Sequence, residues 1–236
     1  MKNIVIIGAS GHGSVILDCI EREGKYNVLG FIDSFKKKGI KQNGYEILGS
    51  EHDLPYLIEM YDIVGGIVAI GDNWTRKRVV DKVSKIAPHL NFITAIHPHA
   101  IIGKDVYVGK GTVIMPGAIV NSNAQIRDFC IVNTNSSLGH DGFMHDFSSF
   151  ACGVSTGGGL FLGEFSAVSA GAVIREHIRV MEHTVIGAGS LVVKDVPDHV
   201  VAYGSPARIV RKRETGESYL SGYRPKITDI ARLVSA

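Results

Sequence analysis

The chain has 236 residues, 45% of them hydrophobic, with a formal net charge of +2. That length suits one large domain or two modest ones with a filled core. So small a charge argues against nucleic acid or a membrane surface as partner, and the longest basic runs are only Lys36-Lys37-Lys38 and Arg211-Lys212-Arg213.

Cys19, Cys130 and Cys152 are odd in number and widely spaced, which points away from a disulfide framework and toward a reducing compartment. The opening apolar run, Ile4 to Ile7, is too short for a signal peptide or a membrane span. A cytoplasmic location is expected.

Residues 1–96 alternate apolar strands with amphipathic helices. Strands are expected at Asn3–Ile7, Val28–Asp33, Ile67–Ile70 and Phe92–Ile96, and helices from Gly13 to Glu23, near Asp53–Met60 and from Thr75 to Ile86. This βαβ rhythm predicts an α/β domain of Rossmann-like type, a parallel sheet with helices on its faces. Pro98 marks the expected hinge into a region of different texture.

From Ile102 to Val192 every sixth residue is apolar except Thr156. A second column six apart, Val106, Thr112, Ala118, Ala124, Cys130 and onward to Val196, is mostly small. A period of six fits neither an α-helix nor an alternating strand. It fits a triangular parallel β-helix over residues 97–197, with one short strand and one corner per hexad and three hexads per coil. Residues eighteen apart then stack at roughly 4.7–4.9 Å. Residues 198–236 form a C-terminal extension, a basic, apolar stretch from Val200 to Arg213 followed by a polar tail from Glu214 that is expected to lie on the outside or be partly mobile.

The first chemical signal is Gly8-Ala9-Ser10-Gly11-His12-Gly13, which follows a strand and opens a helix. Glycines there let the backbone approach a phosphate at the helix N-terminus. Asp33 ends the second strand, where an acidic residue commonly meets a ribose. The spacing is not that of the dinucleotide fingerprint, so a structural tight turn stands beside a nucleotide or nucleotide-sugar site. Ile70-Gly71-Asp72-Asn73, with Arg76, makes a second strand-to-helix turn lining the same crevice.

The second signal is Asn133 to Asp141 within the repeat. Leu138 points inward, so His140 and Asp141 fall at a corner and face outward. The carboxylate can orient the imidazole and stabilise its protonated form, as a general base requires. Gly158 lies eighteen residues on, and its bare N–H is placed to stabilise an oxyanion. A merely solvated corner histidine is the plainer alternative.

No three imidazoles or thiolates converge, so no metal is expected. Cys130 reads as core, and Cys152 sits on a different face from His140. Trp74 suits packing or stacking on a base.

The whole chain from Ile4 to about Arg211 resembles the bacterial hexapeptide-repeat acyltransferases of the sialic-acid O-acetyltransferase and nucleotide amino-sugar N-acetyltransferase group, including the bacillosamine-pathway type. The carriers are GASGHG (Gly8–Gly13), Phe31-Ile32-Asp33, AIGDN (Ala69–Asn73) with Arg76, IHPHAIIG (Ile96–Gly103), NTNSSLGHD (Asn133–Asp141), IGAGSLVVKDVP (Ile186–Pro197) and YGSPARIVR (Tyr203–Arg211).

The resemblance implies a left-handed β-helix, an exception to the usual crossover hand, assembled as a homotrimer. It implies acetyl-CoA between neighbouring β-helices and a nucleotide-linked amino sugar on the N-terminal domain. His140 matches the catalytic base, Asp141 its partner and Gly158 the position facing the thioester carbonyl. Ala170, Gly171, Ala188 and Gly189 match the pantetheine groove. Gly11, His12, Asp33, Gly71 and Asn73 match nucleotide-sugar positions, with Asn133 beside them. Departures are His145 where glycine is usual, the missing Pro-Gly near Ser155-Thr156, and the charge and histidine content of Arg175–His183.

The expected reaction is direct acetyl transfer to a nucleotide-linked 4-amino-4,6-dideoxysugar. A sialic-acid or other sugar hydroxyl is the alternative acceptor. An oxidoreductase is disfavoured by the glycine spacing, and a purely structural β-helix leaves His140-Asp141 beneath Gly157-Gly158-Gly159 unexplained.

Overall fold

The computed structural model describes residues 1–220. The N-terminal part contains β1 (Lys2–Ile7), α1 (Gly11–Glu23), β2 (Tyr26–Ile32), β3 (Lys41–Gln42), β4 (Tyr45–Gly49), α2 (Leu54–Tyr61), β5 (Ile63–Val68), α3 (Asn73–Ile86) and β6 (Asn91–Phe92). The sheet order is β3-β4-β2-β1-β5-β6. All pairs are parallel except the β3–β4 hairpin, which the sequence pattern did not reveal.

The expected strand Phe92–Ile96 splits in two. Asn91–Phe92 closes the α/β sheet beside β5, whereas Ala95–Ile96 already pairs with Val113–Ile114 in the next domain. The chain therefore changes sheets before Pro98.

The C-terminal part is the left-handed parallel β-helix, built from two-residue strands on three faces, the first starting at Ala95–Ile96, the second at Ile101–Ile102 and the third at Tyr107–Val108. Register confirms the eighteen-residue coil: Val113 pairs with Ile131, Ile119 with Ser137 and Gln125 with Phe143. The inward column, from Ile114 to Val192, is almost wholly buried and forms one continuous core. Thr156, its polar exception, accepts a 3.0 Å hydrogen bond from the Gly139 N–H, next to His140.

A third column fixes the corners. Every sixth residue from Asp105 to Gly189 has φ between +52° and +71°. Six of these are glycine and four are Asn or Asp, the residues that enter the left-handed region most easily. His177 apart, the bulky exceptions are Phe129, Phe147, Phe165 and His183, and these four share one corner. Their rings stack with centroids 4.9, 5.5 and 4.7 Å apart, which offsets the backbone cost.

That aromatic corner is the seam with the α/β domain. Trp74 meets Phe165 edge-on at 5.1 Å, and Phe92 meets Phe129 likewise. Fully buried Arg76 donates from Nε to the Phe129 carbonyl, from Nη2 to the Phe147 carbonyl and Asn73 Oδ1, and from Nη1 to the Ile70 and Gly71 carbonyls. α1 covers the adjoining face, where Ile16 and Cys19 share a core with Ala95, Val113 and Met115.

Beyond Pro197, Val200–Gly204 extends this first face in parallel, and Ala207–Lys212 folds back antiparallel on it. Residues 213–220 then return to the α/β domain. The described part of the tail, 214–220, lies on the outside as expected, and Tyr219 tethers it to Gly71 and Ser149. Among the described residues no helix is long and apolar enough to cross a membrane.

Candidate active site

His140 stands at the corner between the second and third faces, immediately before Asp141, whose φ is +56°. The sharp corner turns both side chains outward, and the imidazole is 66% exposed. Its Nδ1 lies 2.6 Å from Asp141 Oδ2. Asn123, one coil below in the same column, donates through Nδ2 to Asp141 Oδ1 at 3.1 Å. The hydrogen bond from His140, then that from Asn123, hold the Asp141 carboxyl below the usual carboxylate range.

An ionised Asp141 can only accept, so the neutral imidazole donates from Nδ1 and presents Nε2 as the acceptor. Asn123 did not stand out in the sequence, although its place eighteen residues before Asp141 was the available signal.

The imidazole rests on Gly158. A Cβ there would lie 2.4 Å from Nε2 and 2.5 Å from Cε1. The neighbouring ladder bonds are formed: the Gly159 N–H donates to the His140 carbonyl, and the His177 N–H to the Gly158 carbonyl, both at 2.8 Å. The Gly158 N–H finds no acceptor among the described residues. An open cavity of about 500 Å³ adjoins this corner, lined by Asp141, Gly159, Phe143, Phe161, His177 and Arg179.

At the corner between the first and second faces, Ala170, Gly171, Ala188 and Gly189 are all exposed. A Cβ on Gly171 or Gly189 would meet nothing within 4 Å. This side-chain-poor ridge fits a thin, flexible chain such as pantetheine, with a second wall needed opposite. Cys152 lies in the same column and is exposed.

A second cavity, about 420 Å³, opens where the α/β domain meets that corner. His12, Gly71 and Asn133 line it together with Ala170 and Ala188, so residues expected for the two ligands converge on one space. Gly11, next to His12, opens α1, and a Cβ there would meet nothing within 4 Å. Asn133 Oδ1 accepts from the Thr134 N–H. The His12 Nε2 is enclosed without a hydrogen-bond partner among the described residues, and burial, then the Arg76 charge, push its pKa down to about 4.

Two expected ligand residues have other partners. Asp33 accepts from the Ala9, Phe35 and Lys36 N–H groups, tying the glycine turn to the end of β2. Asn73 is buried, donates to the Phe165 and Ser166 carbonyls and accepts from Arg76, so it bridges the domains. Trp74 packs rather than facing a cavity. The Cys130 thiol is buried and pushed up to about 12 by desolvation.

The histidines of Arg175–His183 also find places: His177 beside the His140 corner and His183 in the aromatic stack. Glu182, Asp198 and His199 bring possible ligand atoms within 4.8 Å of one another. Both His199 ring nitrogens, however, already engage Asp198 and Thr215.

Residues 3–83 match the PglD N-terminal domain family. UDP-N-acetylbacillosamine N-acetyltransferase of Bacillus subtilis is 33% identical over 115 residues, which take in 49% of this chain and 52% of that protein. The alignment thus spans about half the length of the Bacillus protein.

Among solved structures, PerB from Caulobacter crescentus, in complex with CoA and GDP-perosamine, is 30% identical with a TM-score of 0.83, covering 89% of this chain and 98% of that one. The acetyltransferase domain of PglB from Neisseria gonorrhoeae, in complex with acetyl coenzyme A, is 28% identical with a TM-score of 0.80, covering 89% and 99%.

Proposed function

The chain belongs to the hexapeptide-repeat acyltransferases of the nucleotide amino-sugar N-acetyltransferase family, and from that premise we propose that it moves an acetyl group from acetyl-CoA to the amine of a nucleotide-linked amino sugar. The acceptor class is a 4-amino-4,6-dideoxysugar. The observation that carries the reading is the Asn123–Asp141–His140 relay, which leaves a free Nε2 over a bare glycine.

In the proposed reaction the acceptor nitrogen attacks the thioester carbonyl carbon while His140 Nε2 takes a proton from that nitrogen. The Gly158 N–H stabilises the negative charge that develops on the carbonyl oxygen. The carbon–sulfur bond then breaks, the amide forms, and coenzyme A leaves as the thiol after receiving the proton. Asp141 orients the imidazole and balances its charge. No covalent acyl-enzyme is involved, and positioning of the two substrates contributes much of the rate.

The assembly proposed is a homotrimer. Within one chain the cavity holding His12, Gly71 and Asn133 and the corner holding His140 flank opposite edges of the second face. An acceptor seated in that cavity therefore reaches the His140 of a neighbouring chain. Ile101, Ile119, Val173 and Leu191 stand exposed along the second face, 36–62% accessible, on either side of Ser137 and Ser155, and give apolar surface for that contact.

The testing experiment incubates the protein with acetyl-CoA and UDP- or GDP-linked amino sugars and follows thiol release. Acetyl-CoA-dependent release that requires the free amine is expected. Thiol release only with hydroxyl acceptors would overturn the N-acetyltransferase reading in favour of sugar O-acetylation, and none with any acceptor would leave a structural β-helix.

A further inference from the structure

After the hairpin strand Ala207–Lys212 the chain passes from the β-helix onto the α/β domain and is held at a series of points. The Arg213 Nη1 donates to the His183 carbonyl at 3.0 Å, and its Nη2 donates to the Glu217 carbonyl. Gly216 lies against the Trp74 indole, where a Cβ would stand 2.7 Å from Nε1, so only glycine passes at this φ of +81°. The Ser218 hydroxyl and the Tyr219 N–H both donate to Asp72 Oδ2, at 3.2 and 3.3 Å.

The Tyr219 hydroxyl donates to the Gly71 carbonyl at 3.2 Å and lies 3.0 Å from the Ser149 hydroxyl. With its one proton committed to Gly71, the phenol oxygen accepts from Ser149. Leu220 then lies over Gly71, its Cδ1 3.1 Å from where a Cβ would be.

These contacts converge on the turn between β5 and α3. The other oxygen of Asp72 caps α3 by accepting from the Thr75 N–H at 2.9 Å, so one carboxylate holds both the helix start and the returning segment. Tyr219 and Leu220 are also walls of the 420 Å³ cavity, beside His12, Asn133 and Ala170. The cavity persists next to them, so the segment bounds the space rather than filling it. His12 lines the same cavity, and its buried Nε2 has no hydrogen-bond partner among the described residues. Such a nitrogen calls for a partner that the described residues do not supply.

We propose that Arg213–Leu220 is a strap that completes the acceptor site, with Tyr219 positioning the Gly71–Asp72 turn and Leu220 forming the apolar wall that bounds the nucleotide sugar. This rests on the acceptor class proposed above. A ring braced between Gly71 and Ser149 ties the α/β domain to the first face of the β-helix at the mouth of the cavity. Fixing that turn presents the cavity already shaped, so less is lost to ordering when the acceptor binds.

The test uses the full chain and three variants, Tyr219→Phe, Tyr219→Ala and Leu220→Ala, in steady-state kinetics with acetyl-CoA and a nucleotide amino sugar. Tyr219→Ala should raise the acceptor KM about tenfold or more, with kcat and the acetyl-CoA KM within about twofold, the pattern of lost uniform binding. Tyr219→Phe, which keeps the ring and loses the hydroxyl, should fall between it and the wild type. Leu220→Ala should raise the acceptor KM and admit bulkier sugars.

An unchanged acceptor KM in Tyr219→Ala overturns the proposal, as does a lowered one, which would mark the strap as a plug. Loss of kcat at constant KM overturns it as well. A wild-type protein inert toward every nucleotide amino sugar overturns the functional reading instead. Calorimetry with UDP and GDP then decides the strap by itself: weaker binding to Tyr219→Ala than to wild type supports it, and equal binding refutes it.

Discussion

His140 lies directly on Gly158, so close that a single methyl group on the glycine would stand 2.4 Å from the imidazole Nε2. The contact is with the free end of an exposed side chain, so Gly158→Ala displaces the ring instead of breaking the coil. Displacement of about 1 Å in a reacting group costs on the order of 10²-fold in rate. Turnover should fall by about that factor while the thermal midpoint stays near that of the wild type. Wild-type turnover in this variant would mean that the ring position does not matter to the reaction.

His140→Ala should lower turnover by about 10²–10⁴-fold with coenzyme A affinity nearly intact, since the imidazole acts on the acceptor proton. Asp141→Asn should cost less, because the imidazole stays but loses the carboxylate that fixes its Nδ1 proton. Asn123→Ala should give a smaller loss still and let the Asp141 carboxyl titrate closer to its ordinary range, since one of two hydrogen bonds holding it down is gone. Kinetics of the three variants side by side check this order, and an Asn123→Ala loss equal to that of His140→Ala would contradict it.

Much of this site was legible because hydrophobicity repeats every six residues. The repeat placed Leu138 inward, hence His140 outward, and put Gly158 one coil above. The corner column was not legible, because Asp105, Phe129, Gly153 and His177 share a backbone angle and no side-chain property. The Phe129–Phe147–Phe165 stack was hidden for the same reason, although eighteen-residue spacing connects its members.

Asp33 and Asn73 look like ligand residues because polar side chains at the ends of strands suit both ligands and backbone. Only the partners, Ala9 N–H for one and Phe165 carbonyl for the other, decide between the two. The strap escaped notice because its contacts are single polar atoms without periodicity.

Arg76 carries the domain seam, and its loss should be felt as stability. Arg76→Met keeps the volume and leaves the Ile70, Gly71, Phe129 and Phe147 carbonyls without this donor. The cost should be about 3–5 kcal/mol, as for a buried charged group removed from its partners. Arg76→Lys should recover little, because one ammonium cannot span the guanidinium fork. Urea unfolding measures both, and a loss of under about 1 kcal/mol in Arg76→Met would show that the seam is held by the aromatic stack alone.

The trimer makes a sharper demand than a size measurement. Sedimentation equilibrium should give three chains per particle, and Ile119→Lys with Leu191→Glu on the second face should shift it toward monomer. The monomer should retain its circular dichroism, since both side chains point away from the core. It should lose nearly all turnover, because cavity and base then belong to chains that no longer meet. A fully active monomer would contradict the shared site.

His12 should make the fold sensitive to acid. Burial, and then the Arg76 charge, bring its pKa down to about 4 from the ordinary 6.5. Above pH 6.5 the ring is neutral in both native and unfolded chains and contributes nothing to pH dependence. As pH falls from 6.5 to 4 the unfolded chain gains a proton that the native chain refuses, so stability declines. Below pH 4 both states are protonated and the full penalty is present, up to about 3 kcal/mol for such a shift.

His12→Gln keeps a polar side chain without the titration, so its stability curve should diverge upward from that of the wild type between pH 6.5 and 4 and run parallel above. Urea midpoints at about pH 7, 5.5 and 4.5 measure the divergence. Curves that stay parallel across the whole range would show that the native protein opens to protonate His12 at no cost.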